Sequence, residues 1–129
     1  MSILDFLYEH RDNVREDKSM IPSQMLKGML EGCILEIIDQ QETYAYAISK
    51  ELAECGFGEV SEGTIYPMIL RMQKKEWIEA TVRQSESGPA RKYYHLTEMG
   101  KEELEKFNKN WNNLKTAVDY LWKRGRIIE

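Results

Sequence analysis

The hydrophobic pattern changes its period within residues 61–97, which read SEGTIYPMILRMQKKEWIEATVRQSESGPARKYYHLT. In the first part of this stretch, apolar residues recur at helical spacing after Ser61, namely Ile65, Met68, Ile69 and Met72. Serine is a good N-cap, so a helix is predicted to begin here. Because Pro67 lacks an amide hydrogen, this helix either starts near Thr64 or bends at the proline.

The second part of the stretch has the pattern of a β-hairpin. From Ile78 to Arg83 apolar and polar residues alternate, which predicts a half-buried strand with Ala80 and Val82 facing inward. Residues 84–89 form a turn, and Arg91 to Leu96 form a second β-rich run. A helix followed directly by a hairpin is the end of a winged helix-turn-helix unit.

The preceding and following segments complete this architecture. Apolar periodicity predicts helices over 3–16, from Ser23 through Ile38, and from Thr43 to Cys55, with Gly56 as a C-cap. A final helix runs from Thr97 to about Trp122. The fold class is therefore mainly α with a small β-hairpin. Its expected parts are an N-terminal helix and linker (1–22), a winged helix-turn-helix DNA-binding domain (23–97) and a C-terminal dimerisation helix (98–129).

The final helix carries an apolar seam with alternating spacings of three and four residues: Leu104, Phe107, Trp111, Leu114, Val118 and Leu121. A helix of this length extends past its own domain, so the seam needs a partner, and an identical subunit is the simplest one. Leu4 and Leu7 of the N-terminal helix are expected to join the same interface. The chain is thus predicted to be a homodimer.

Double-stranded DNA is the expected partner of the central unit. A helix-turn-helix protein lays the N-terminal part of its recognition helix in the major groove. The predicted outward face of that helix offers Ser61, Glu62, Thr64, Tyr66, Arg71 and Lys75, and the hairpin adds the cations Arg83, Arg91 and Lys92. Hydroxyls bond bases or phosphates, whereas Glu62 suits a cytosine amino group.

Charge distribution agrees with this assignment better than the net charge of −4 does. Residues 1–60 carry 5 basic and 12 acidic side chains, whereas residues 61–97 carry 6 basic and 4 acidic ones. The acidity therefore lies outside the segment expected to face DNA. A solvated polar face and an ordinary hairpin tip remain the plain alternatives for these residues.

Several function classes are disfavoured by the composition. The 129 residues include no long apolar run and no signal peptide, so a cytoplasmic protein without membrane contact is expected. Cys33 and Cys55 are expected to be reduced core thiols without a metal. His10 and His95 belong to no catalytic motif, so neither an enzyme nor a cofactor is predicted.

Four segments together resemble the PadR family of transcriptional regulators: MLKG (25–28), YAYAI (44–48), EGTIYP (62–67) and GPARKYYHLTEMG (88–100). The resemblance covers about residues 25–122 and implies a winged-helix dimer that represses its own or nearby genes. It also implies DNA contacts at Tyr46, Thr64, Tyr66, Arg91 and Lys92. The chain departs from the family pattern at two places. Ala47 stands where the family often has glycine, and Trp77 follows Lys75-Glu76, where glycine is usual.

The short C-terminal region resembles the branch of this family that includes multidrug-sensing repressors. Trp111 lies at the middle of the seam, and Phe107 is one turn before it. Two facing indoles could sandwich a planar hydrophobic molecule, although Trp111 as plain interface core is the alternative. A winged-helix module that binds protein and never DNA also stays open, and salt-dependent duplex binding would distinguish it.

Overall fold

The computed structural model describes residues 21–128. Its helices are α1 (Ser23–Leu26), α2 (Leu30–Gln40), α3 (Ala45–Glu54), α4 (Glu62–Lys74) and α5 (Glu98–Ile128), and its strands are β1 (Ile78–Arg83) and β2 (Arg91–Leu96). The mainly helical fold with a small hairpin and a long C-terminal helix is confirmed. The expected N-terminal helix, with Leu4 and Leu7, lies outside the described residues.

The helix expected to run without interruption from Ser23 is instead two helices. α1 ends at Leu26, and α2 begins only at Leu30. Gly28 lies between them with φ +91°, a left-handed conformation that L side chains rarely adopt. The hydrophobic spacing continues across this turn, so periodicity alone could not reveal the break.

One hydrophobic core joins the helices to the base of the hairpin. Its buried members come from every element: Leu26, Leu30, Ile34, Leu35, Ile38, Ile48, Leu52, Val60, Ile65, Ile69, Met72, Ile78, Tyr94 and Leu104. The helical spacing predicted after Ser61 is confirmed in α4, where Ile65, Ile69 and Met72 are buried and Met68 packs against the core. Within residues 21–128, no helix is both long and apolar enough to cross a membrane.

Two helices end in the same hydrogen-bond arrangement. After α3, the amides of Gly56 and Phe57 bond the carbonyls of Ala53 and Leu52 at 3.1 and 3.0 Å. After α4, Glu76 and Trp77 bond Gln73 and Met72, each at 2.9 Å. This is the Schellman motif, whose first residue past the cap adopts positive φ. Gly56 has φ +102° as expected for glycine, whereas Glu76 has φ 63°.

The hairpin extends beyond the helical core. β1 and β2 pair antiparallel from Ile78↔Leu96 to Arg83↔Arg91. Thr43, ahead of α3, pairs with Tyr94 through bonds of 2.7 and 3.3 Å and so ties the hairpin to the body. The expectation that Ala80 and Val82 lie on a buried face is wrong, since both are exposed. Only the base of β1 contacts the core, because the helices do not reach the distal part.

The C-terminal helix is longer than the sequence indicated. Thr97 caps it, since its hydroxyl accepts the amide of Gly100 at 3.1 Å, and the helix continues past Trp122 to Ile128. Its 31 residues span about 46 Å at 1.5 Å per residue. Phe107 packs on Gly32 of α2, where a β-carbon would overlap the ring. Beyond this contact the described side chains of α5 are exposed.

Candidate nucleic-acid interface

The N-terminus of α4 is open to solvent and capped by its own side chains. Ser61 Oγ accepts the amide of Thr64 at 3.3 Å, and the two hydroxyl oxygens lie 3.2 Å apart. The helix begins at Glu62 and continues through Pro67, so the later start near Thr64 is excluded. A free helix N-terminus carries partial positive charge and suits a phosphate.

A groove beside this terminus collects side chains from three elements. Its volume is about 470 Å³, and it lies between the start of α3, the outer face of α4 and the start of β2. The lining residues are Tyr44, Ala45, Tyr46, Glu62, Tyr66, Arg91, Lys92 and Tyr94. Five of the residues proposed from the sequence for DNA contact therefore share one surface, although they are up to 46 positions apart in the chain. We call this surface the α4–wing groove.

The cations of the hairpin differ in their surroundings. Arg91 lines the α4–wing groove, and its guanidinium carbon lies 4.5 Å from the centre of the Tyr44 ring. Lys92 lines the same groove and is exposed. Arg83 instead pairs with Glu42, with Nη2 at 3.0 Å from Oε2, and lies over the Tyr93 ring at 5.3 Å. Arg91 and Lys92 are thus the hairpin cations that border the groove.

The two cations proposed from the sequence at the far end of α4 are Arg71 and the C-cap residue Lys75, and both are engaged within the chain. Arg71 donates to Glu31 of α2, with Nε at 3.0 Å from Oε1. The Lys75 ammonium lies 4.5 Å from the centre of the Trp77 ring. Neither residue lines the groove. Arg71 and Lys75 therefore already have intramolecular contacts, whereas Arg91 and Lys92 border the groove.

The buried Tyr94 and the half-buried Cys33 keep their protons at neutral pH. Burial, together with the nearby Tyr66, raises the pKa of Tyr94, so its hydroxyl stays neutral. Burial also raises the pKa of the Cys33 thiol, with smaller contributions from Cys55 and Glu36. A protonated thiol is a poor nucleophile. Cys55 is free but exposed, so the expectation of two core thiols is wrong for this residue.

The seam of α5 divides into a packed half and an open half. Leu104 is buried and Phe107 is half-buried against the chain's own α2. The later seam residues are exposed: Trp111 to 39%, Leu114 to 52%, Val118 to 42% and Leu121 to 57%. Phe107 therefore already has a partner within the subunit, whereas Trp111 does not pack in the core.

The residues that the structure describes include no group of three or more His, Cys, Asp or Glu side chains that could hold a metal ion.

Sequence reasoning missed three side chains that shape the site. Tyr44, Tyr93 and Glu42 contact the hairpin arginines, and the rings of Tyr44 and Tyr93 meet edge to face at 5.2 Å. Apart from Arg83 and Tyr93, which lie on the two paired strands, the contacts join residues about 40 to 50 positions apart. Arginines stack readily on tyrosine rings. Nothing in the local sequence, however, specifies which ring contacts which guanidinium.

Comparison with known proteins gives the same architecture. The transcriptional regulator PadR-like family matches residues 34–106, more than half of the chain. The chain is 55% identical to a PadR-like transcriptional regulator from Bacillus cereus strain ATCC 14579, with a TM-score of 0.71 over 77% of this chain and 96% of that one. A Streptococcus transcriptional regulator is 41% identical, with a TM-score of 0.69 over 76% of this chain and 96% of that one.

A more distant structure, Bacillus subtilis PadR in complex with operator DNA, is also similar. It is 25% identical, with a TM-score of 0.56 over 61% of this chain and 46% of that one. The family match includes α3, α4, the hairpin and the start of α5, so it spans the α4–wing groove. The chain belongs to the PadR-like family of transcriptional regulators.

Proposed function

We propose that the chain is a homodimeric, sequence-specific DNA-binding protein that represses transcription. The observation that carries this proposal is the α4–wing groove, in which the start of a helix, two tyrosines and two cations face solvent together. The groove combines what a duplex requires, because phosphates bind cations and base edges accept hydroxyl contacts. Operator DNA bound to Bacillus subtilis PadR, a family member, supports the same partner class.

In this proposal the two sides of the groove have different roles. Tyr66 on α4 and Tyr46 at the start of α3 line the groove, whereas Thr64 lies at the exposed N-terminus of α4. These three side chains are proposed to lie close to base edges or to the backbone in the major groove. Arg91 and Lys92 bind phosphates, so their contribution is independent of sequence. Glu62 repels phosphate and suits only a base amino group, which makes it a candidate for specificity rather than affinity.

The dimer is proposed from the exposed seam of α5. Leu114, Val118 and Leu121 expose apolar surface along one face of a helix that extends past its own core. Burial of this apolar area against a second copy of the chain would stabilise a dimer. In such a dimer, residues 23–97 bind DNA and residues 98–129 join the subunits, which sets two recognition helices about one DNA turn, roughly 34 Å, apart.

A planar hydrophobic effector is proposed to bind between the two Trp111 side chains and release the protein from DNA. The support is an exposed indole at the middle of the seam. A ligand shifts DNA affinity only through its preference for one dimer geometry, and about 1–3 kcal/mol would give a 5–150-fold change. Titration with a planar dye should give tighter binding to the wild type than to Trp111→Ala, with the dimer mass of both checked. Equal affinity would mean that Trp111 is only interface core.

Footprinting on DNA upstream of the protein's own coding region tests the proposed function. We expect protection of a two-fold-related site and a binding constant that falls steeply with salt, because bound cations release counterions. A winged-helix module that binds only protein would give no protected site and no binding to any duplex at low salt. Protection without lower transcription from that promoter would contradict repression while leaving DNA binding intact.

A further inference from the structure

The Arg83 side chain connects the hairpin to the helical body. Its Nη2 atom donates to Glu42 Oε2 at 3.0 Å, and Glu42 belongs to the segment between α2 and α3, not to the hairpin. The Arg83 guanidinium also lies 5.3 Å from the centre of the Tyr93 ring on β2. This arginine therefore contacts both the body and the neighbouring strand.

The contacts continue from Tyr93 to the α4–wing groove. The Tyr93 ring meets the Tyr44 ring edge to face, with 5.2 Å between centres and 63° between planes. The Arg91 guanidinium lies over the other ring, Tyr44, at 4.5 Å, and Arg91 lines the groove. Glu42, Arg83, the two tyrosines and Arg91 thus form one chain of contacts, which we call the wing ladder.

A glutamate at position 42 is unfavourable unless it stabilises the position of the wing. A negative charge near a phosphate-binding surface opposes DNA binding. Its second carboxylate oxygen, Oε1, is buried without a hydrogen-bond partner among the described residues, which costs stability. The side-chain hydrogen bond that Glu42 does make among the described residues is the charge-assisted one from Arg83.

We propose that Glu42 is a positioning residue for the wing: through Arg83 and the Tyr93–Tyr44 pair, it holds Arg91 at the groove, and Arg83 itself contacts no phosphate. The inference rests on the proposed DNA binding and goes beyond it, since it assigns opposite roles to the two arginines. It also reverses the usual effect of an acidic side chain. Removing Glu42 should weaken DNA binding although a negative charge is lost.

The test measures binding of a labelled random-sequence duplex over a range of salt. Glu42→Ala is expected to lower affinity roughly tenfold and to make the salt slope shallower by about one unit, because Arg91 loses its phosphate contact. Glu42→Gln keeps an oxygen that accepts from Arg83 and should recover part of both effects. Glu51→Ala is the matched control, since Glu51 is exposed on α3 and lines, together with Glu42, a surface cavity that Tyr44 and Tyr93 also line. It should bind as tightly as the wild type or slightly more tightly.

A double-mutant cycle completes the test. If the pair acts as one unit, Glu42→Ala, Arg83→Ala and the double variant should all lose affinity equally. Binding by Glu42→Ala as tight as or tighter than wild type would overturn the proposal, and so would additive effects with a phosphate-type slope change for Arg83→Ala alone. Weaker binding with an unchanged slope and a lower folded fraction would mean only a structural role, and it also overturns the proposal. A wild type that binds no duplex would instead contradict the proposed function.

Discussion

At the residue scale, the end of α4 places a glutamate in a backbone conformation that favours glycine. Glu76 occupies the position after the helix cap with φ 63°, where Gly56 stands in the matching motif after α3. A left-handed conformation costs an L residue about 1–2 kcal/mol, and glycine avoids this cost. The only indication of this positive φ in the sequence was the family resemblance, because glycine is usual at this point of the family pattern.

Glu76→Gly is therefore expected to stabilise the fold. The strain removed exceeds the additional entropy that glycine loses on folding, which leaves a net gain of about 0.5–1 kcal/mol. Chemical denaturation would measure it. Gly56→Ala is the reciprocal control and should destabilise by a similar amount, because alanine would take up the same strain there. A loss of stability in Glu76→Gly would show that the glutamate side chain does more than occupy the turn.

At the element scale, the order of helices and strands was predictable because each element carries its own hydrophobic period. The remaining features depend on contacts between elements. Ala80 and Val82 alternate like buried residues, yet the hairpin extends past the helices that would have covered them. The pairing of Arg83 with Glu42 and of Arg71 with Glu31 joins residues about 40 positions apart, and no local pattern specifies such partners.

The packing of α5 on α2 depends on a residue without a side chain. Gly32→Ala places a β-carbon into the Phe107 ring, and such overpacking is expected to cost about 1–3 kcal/mol of unfolding free energy. Gly63→Ala in α4 is the control, since the β-carbon there would lie 3.6 Å from Ser61 Oγ, an ordinary contact. Equal stability of Gly32→Ala and the wild type would contradict the packing described for Phe107.

The recognition helix and the wing should be separable in DNA binding. Arg91→Ala and Lys92→Ala are each expected to weaken binding to all duplexes and to reduce the salt slope by about one unit. Thr64→Ala and Tyr66→Phe should reduce discrimination between operator and random duplex, since hydroxyls of α4 are proposed to reach bases. Titrations of both duplexes at several salt concentrations measure the two effects. An unchanged slope in the wing variants would exclude a phosphate contact.

At the scale of the whole molecule, assembly should depend on the open half of the α5 seam. Leu114→Glu puts a charge where a second copy would bury it without a partner, which costs several kcal/mol. We expect the dimer dissociation constant to rise by more than about tenfold, with a parallel loss of operator affinity. Tyr120→Glu is the control, because Tyr120 is exposed on the same helix but outside the seam. Analytical ultracentrifugation that finds both variants dimeric would contradict the seam.

The central claim is that two copies of the α4–wing groove read one two-fold-related DNA site. Selection of duplexes from a random-sequence pool by the wild-type protein tests it most directly. The account predicts enrichment of a palindromic sequence whose half-sites are separated by about one helical turn, roughly 34 Å. It also predicts that Tyr66→Phe, a substitution within the groove, changes the base preference within each half-site. A pool that remains random after repeated rounds, despite binding, would contradict sequence-specific recognition by this surface.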